Sequence, residues 1–317
     1  MKSRFSDISV IIPCFNGGRY ICTAIDSALS QRAVSIEVVV VDDGSQDESL
    51  ELLRVYGDAI ILLTGPNRGA AHARNEGVAA SGAPFIKYLD ADDYLLPGAL
   101  KAQLDHALSL PNDAFSYGRV LRLTEVTGQV QPHSQRDARV DNSDTLENLV
   151  LDPPVIASLL YPRALLEIID GFDSGLALRD DFDLFVRALI AGYQPQPFTA
   201  PIFVYRDHAS EGRLSRRTSV ADQDALIGMF YKHQAILASA QIPLPELSIP
   251  LARTIWTTAR NALRLGHTVQ ACALFDLAKQ MSPGAAVRGK LIYRALVYVF
   301  GPIRTEYLLQ QLKRTSE

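Results

Sequence analysis

Within the first 95 residues, four short apolar runs alternate with stretches of helical spacing, and this rhythm constrains the fold more than any other feature. The runs are Ile8 to Ile12, Glu37 to Val41, Ala59 to Leu63, and Pro84 to Leu89. Runs of that length between turn signals read as buried strands. Between them lie Tyr20 to Gln31, with Ile21, Ile25, Ala28 and Leu29 on one face, then Asp47 to Tyr56 and Ala70 to Ala80. Strands joined by crossover helices imply an α/β fold with a mainly parallel sheet. Ligands of open sheets bind beyond the carboxyl ends of the strands. Three runs end there in polar clusters: Pro13 to Asn16, Asp42-Asp43, and Asp90 to Asp93. Pro13 has no N–H and is expected to end the first ladder.

The acids carry the chemistry. Asp90, Asp92 and Asp93 crowd one strand end and are costly to hold together without a cation. Mg²⁺ or Mn²⁺ takes such oxygen ligands, commonly shared with substrate phosphates. Aspartate is also a frequent helix N-cap, so a polar turn ahead of Pro97 is an equal reading. Asp42-Asp43-Gly44-Ser45 admits two readings as well. A carboxylate there can accept from a base N–H or a ribose hydroxyl, or the segment is an Asp-Gly turn. Arg68 and Arg74 either neutralise phosphate or sit exposed on a helix beside Glu76.

Beyond Asp93 the pattern changes. Pro97 to Leu110 is amphipathic, Phe115 to Gln131 reads as a hairpin turning at Thr127-Gly128, and residues 132–145 read as a polar loop. Arg163 to Ile169 and Asp180 to Ala191 read as helices, and Gln196 to Tyr205 as a strand. From Ala221 to Gln311 the spacing is helical, with Asn261 to Gly266 followed by Ala271 and Ala278 as a helix-turn-helix pair. A boundary near Arg217 to Ser219 gives domains over 1–218 and 219–317.

A net charge of −4 leaves no basic field for nucleic acid. Cys14, Cys22 and Cys272 show no zinc spacing and form no disulfide framework, which suits a reducing, cytoplasmic setting. No signal peptide is expected at the N-terminus, and no run approaches the length that spans a bilayer.

Four segments together resemble the bacterial-type family 2 glycosyltransferases of GT-A fold: Val10 to Asn16, Val40 to Ser45, Asn67-Arg68-Gly69 with Ala73-Arg74-Asn75, and Leu89 to Asp93. The resemblance covers Ile8 to about Arg216. It implies a Rossmann-like sheet with flanking helices and a hexosyl- or N-acetylhexosaminyltransferase that inverts at the anomeric carbon. It also implies a nucleotide-sugar donor, a UDP-sugar foremost, with Mg²⁺ or Mn²⁺ as cofactor. Pro13, Asn16, Asp42, Asp43, Asn67, Gly69, Arg74 and Asp90 would line the donor cleft. Asp92 would bind the metal, and Asp93 is the structural acid of that cluster.

At Leu178 to Ala188 the family carries an acid pair, usually Glu-Asp, whose aspartate is the base. The residues here are Asp180-Asp181, so the first acid is one methylene short and Asp181 matches the base. Plain capping by acids at a helix start is the alternative, and Asp183 reads as structural. Tyr205-Arg206-Asp207-His208 resembles a segment that precedes a loop over the diphosphate. It implies His208 at the metal or diphosphate, with Arg213, Arg216 or Arg217 on leaving-group charge.

Between Lys279 and Arg314 stand seven Lys/Arg and one acid, Glu306, around the apolar stretch Leu291 to Phe300. That composition suits either an anionic membrane surface at the inner face of the membrane or a helix packed on its own chain or on a homodimer partner. The expected acceptor is a glycan or lipid-linked glycan of cell-surface polysaccharide or glycolipid synthesis. Competing readings are a nucleotidyltransferase, for which Phe15 to Arg19 is only a partial phosphate loop, and a binding scaffold without activity.

Overall fold

The computed structural model describes residues 6–134, 137, 144–176, 178–208, 219–239, 245–287 and 289–314. The strands are β1 (Ile8–Cys14), β2 (Ile36–Asp42), β3 (Ile61–Thr64), β4 (Phe85–Tyr88), β5 (Tyr94–Leu95), β6 (Ala114–Thr124), β7 (Gln129–Pro132), β8 (Leu159–Pro162) and β9 (Gln194–Asp207). They form one sheet in the order β3-β2-β1-β4-β8-β6-β9-β5, with β7 paired to β6. The half from β3 to β4 is parallel, and β8 joins it antiparallel.

Helices α1 (Ile21–Leu29), α2 (Ser49–Arg54), α3 (Ala70–Ala79), α4 (Ala99–Ser109), α6 (Arg163–Ile168) and α7 (Asp180–Ile190) accompany the sheet. Alternate residues Val10, Ile12, Val38 and Val40 share a buried cluster with Ile21, Ile25, Leu100 and Leu104. Val39 and Ile11 are buried too, on the side where α3 packs on β1 and β2. A strand covered on both faces must be apolar at every position, which is why these runs read so clearly. Each such Val or Ile contributes roughly 1.5–3 kcal/mol of burial.

Four boundaries differ from the sequence expectation. β1 continues through Pro13 to Cys14, pairing Pro13 with Val41. The Ile11 carbonyl accepts from Leu89, so Pro13, two residues on, faces the side where β4 has already ended. Its missing N–H therefore costs no ladder bond. α2 starts at Ser49 because the Asp47 carboxylate accepts from Ser49 N and Gly18 N, both at 3.0 Å, and so holds the entry to the helix. The third strand is displaced to Ile61–Thr64 by a 3₁₀ turn over Gly57–Ala59. β9 is longer than its pattern suggested. It runs parallel to β6 from Ala114↔Gln194 to Thr124↔Asp207, with the register shifting between Tyr117 and Val120. Pro195 masked its start, because proline in a strand is tolerated chiefly at edges and bulges.

The chain divides into two units, Met1–Asp144 with Pro154–Glu211, and Thr145–Pro153 with Gly212–Glu317. The second holds α5 (Leu146–Leu151), α8 (Val220–Ser239), α9 (Pro245–Arg264), α10 (Thr268–Met281), α11 (Leu291–Phe300) and α12 (Pro302–Arg314). Its centre is α9 against α10, where the rings of Trp256 and Phe275 meet at 4.6 Å. Trp256 Nε1 donates to Tyr293 Oη, which donates to Glu306 at 2.6 Å, and Arg260 pairs with Glu306. No helix among the described residues is long and apolar enough to cross a membrane.

Candidate active site

The turns after β1, β2 and β3 are tied together by side chains from the sequence motifs. Asn16 Oδ1 accepts from Gln46 N at 2.8 Å, and Asn16 N donates to Ser45 Oγ at 2.9 Å. Asp43 accepts from Arg68 N at 2.7 Å and from Gly69 N at 2.8 Å, so both its oxygens clamp the entry to α3. Gly44, at φ +77°, lies so close to Asn67 N that a Cβ would stand 2.8 Å from it. Asn67 itself is exposed on that loop. Asp42 differs from its neighbour. It is 3% exposed, and its Oδ1 is buried without a hydrogen-bond partner among the described residues. A buried acceptor left open is a place where a further donor can bind.

The second group joins β4 to α7. Arg74, on α3, donates Nη2 to Asp90 Oδ1 at 2.9 Å and Nη1 to Asp180 Oδ2 at 2.8 Å, with its guanidinium over the Phe172 ring at 5.1 Å. It is not the exposed helix arginine that one sequence reading allowed; Arg68 pairs with Glu76 instead, at 3.8 Å. Burial opposes the Arg74 charge, but Asp90 and Asp180 outweigh it and hold its pKa above the ordinary value. Burial raises the Asp180 carboxyl above its ordinary value, against the pull of Arg74. Asp181, the next residue, is solvent-exposed, and its Oδ1 accepts from Phe182 N at 2.8 Å. Three acids in the first turn of α7 face the positive end of the helix dipole.

This corner rests on a supporting turn. Asp183 is buried and accepts from Arg187, which also donates to the Ile169 and Gly171 carbonyls. Asn75 pairs with the Phe172 backbone twice, Nδ2 to the carbonyl at 2.8 Å and Oδ1 from N at 2.9 Å. Gly171 sits at φ +57°, and a Cβ there would lie 2.6 Å from Asn75 Oδ1. Gly171→Ala adds left-handed strain to that clash, and we expect it to destabilise the first unit by roughly 2–3 kcal/mol. Urea denaturation followed by near-ultraviolet circular dichroism would measure this; an unchanged midpoint would mean that the turn yields freely.

The third group joins the β4 turn to the end of β9. Asp92 Oδ2 lies 2.9 Å from His208 Nε2. Asp93 is buried, and its Oδ1 accepts from Arg206 N at 2.8 Å, while Arg206 Nε donates to the Asp92 carbonyl at 3.0 Å. Tyr20 stands between these groups, its ring 4.9 Å from that of His208 and 4.8 Å from the Arg206 guanidinium. Its hydroxyl donates to Glu125 at 2.9 Å, which also pairs with Arg19. Arg213, Arg216 and Arg217 lie outside the described residues. A carboxylate beside an imidazole suits a divalent ion that completes its shell with phosphate and water. Among the described residues no three acids, histidines or cysteines gather as a cage, so the ion would depend on the substrate for the remainder.

Tyr20, Glu125 and Arg206 were not singled out in the sequence. Tyr20 and Glu125 lie 105 positions apart, and no local pattern links them. Arg206 stands inside the quoted Tyr205-to-His208 segment, and that proximity was its one signal.

Residues 9–163 match the model of glycosyl transferase family 2. An uncharacterised glycosyltransferase of Rickettsia prowazekii is 32% identical over 57% of this chain, which spans 58% of that relative's length. A succinoglycan biosynthesis protein of Rhizobium meliloti is 29% identical over 70% of this chain and 66% of its own. S. aureus TarS residues 1–349, solved with UDP-GlcNAc, superposes with a TM-score of 0.72 at 18% identity, covering 98% of this chain and 92% of that one. The sheet order and the motifs agree with the family match, and residues 9–163 are similar to glycosyl transferase family 2.

Proposed function

We propose that the chain is an inverting glycosyltransferase that moves a sugar from a nucleotide donor, a UDP-sugar, to a hydroxyl of a glycan or lipid-linked glycan. The observation that carries this is Arg74, whose one guanidinium holds strand-end Asp90 and helix-start Asp180 together and so brings Asp181 to the strand ends. The open Asp42 Oδ1 suits a nucleobase N–H, and Phe15, half exposed just after β1, offers an apolar ring at the end of the neighbouring strand. Asp92 and His208 would hold Mg²⁺ or Mn²⁺, which when bound offsets the diphosphate charge. Asp181 takes the proton of the acceptor hydroxyl as its oxygen forms the bond to the anomeric carbon. The carbon–oxygen bond to the diphosphate breaks on the opposite face and its electron pair leaves with the nucleotide. The UDP-GlcNAc of the TarS complex supports the donor class, and the succinoglycan relative supports a polysaccharide product.

Calorimetric titration with UDP tests this reading. Binding with Mn²⁺ is expected to exceed binding with chelator by at least tenfold, about 1.4 kcal/mol. His208→Ala should abolish that difference while leaving the metal-free affinity alone. Absence of UDP binding under both conditions would overturn the donor assignment, and binding without any release of UDP from UDP-sugars would overturn the enzyme reading.

A further inference from the structure

The second unit carries an apolar face that its own helices leave uncovered. On α11 only Tyr293 and Val297 turn inward. Leu291 is 80% exposed, Ile292 74%, Tyr298 92% and Val299 68%, with Ala295 exposed between them. The spacings 291/295/298 and 292/295/299 lay these side chains along one stripe of the helix. Tyr307 and Leu308 of α12 are also exposed. Solvent alone is a poor partner for so contiguous a stripe.

The charges around the stripe select what covers it. Lys290, Arg294 and Arg304 are exposed. The one acid from Lys279 to Arg314 is Glu306, and it is buried against Arg260 and Tyr293. A second copy is a poor occupant. A two-fold interface presents the same patch from both subunits, so these cations would meet their equivalents with no acid to answer them. A surface of anionic phospholipid answers both features, because it takes apolar side chains among its acyl chains and cations at its headgroups. Tyr298, apolar in body and polar at its tip, suits the boundary between the two.

We infer that α11, with the start of α12, is a docking surface for anionic phospholipid bilayers, on which the chain lies without spanning. The inference stands on exposure and charge and is independent of the transferase reading. Three basic side chains at roughly fivefold each give an expected preference for anionic over neutral vesicles on the order of 100-fold, falling as salt is raised.

The test is co-sedimentation of the full chain with phosphatidylcholine vesicles, with and without one-third phosphatidylglycerol, and no acceptor present. The expected result is sedimentation with the anionic vesicles alone, lost in Ile292→Asp/Val299→Asp and weakened in Arg294→Gln/Arg304→Gln. Both pairs are exposed, so far-ultraviolet circular dichroism should match the parent and UDP binding should persist. Equal binding to both vesicles, or to neither, would overturn the proposal. So would a parent dimer in light scattering that Ile292→Asp/Val299→Asp converts to a monomer, since a second copy would then be the occupant.

Discussion

Asp181→Asn is expected to lower sugar transfer by a factor on the order of 10²–10⁴, the range a positioned general base supplies. The amide keeps the size of the carboxylate and an Oδ1 that can still accept from Phe182 N, so the start of α7 should hold. Asp181 is exposed and makes no hydrogen bond to Arg74, so although its charge is felt by Arg74 and Asp180, the hydrogen bonds of the Asp90–Arg74–Asp180 link do not depend on it. Donor affinity should therefore remain near the parent value. The measurement is a single-turnover transfer rate beside a calorimetric UDP titration on the same protein. A variant that loses UDP binding along with transfer would remove Asp181 from the role of base and return it to capping the helix. A variant that transfers at the parent rate would do the same.

The strands were legible because β1, β2 and β4 are covered on both faces, so burial writes itself into consecutive residues. β9 was legible over Gln196 to Tyr205 but its pairing was not, since the parallel alignment with β6 depends on a register shift that no local pattern encodes. α5 groups with the C-terminal helices from within residues 145–153, through Arg253 to Glu147 and Thr254 to the Val150 carbonyl, contacts more than a hundred positions long. The acids stood out as residue types at strand ends, but type does not assign a partner. Asp42 and Asp43 look alike in the sequence. In the fold, one spends both oxygens on the Arg68 and Gly69 amides and the other keeps an oxygen buried and open. Likewise Arg74 and Asp180 stand 106 positions apart, and only the fold, which seats α3 on β1 and β2, brings them together.

That junction carries the largest stability effect. Arg74→Met removes the guanidinium and keeps most of the side-chain bulk. Asp180 is then left 16% exposed with no cation, beside Asp90, which is a third exposed. Stripping one partner from a buried ion pair costs about 3–5 kcal/mol, and the exposure of Asp90 places the expected loss toward the lower end. The sign of its pH dependence follows from Asp180. Its carboxyl is already raised above the ordinary 3.8 by burial, and the loss of Arg74 raises it further. A raised carboxyl favours the folded state while protonated, so this favourable share is full below 3.8 and is lost as pH rises through the folded value. Arg74→Met should accordingly be weakest relative to the parent near neutral pH, with the gap closing as pH falls into the carboxylate range. Urea titrations of both proteins across that range measure it. A gap that stayed constant with pH would mean that Arg74 acts through its packing on Phe172 and not through the charge of Asp180. Arg74→Lys should recover only part of the loss, because one ammonium lacks the planar fork that serves Asp90 and Asp180 at once.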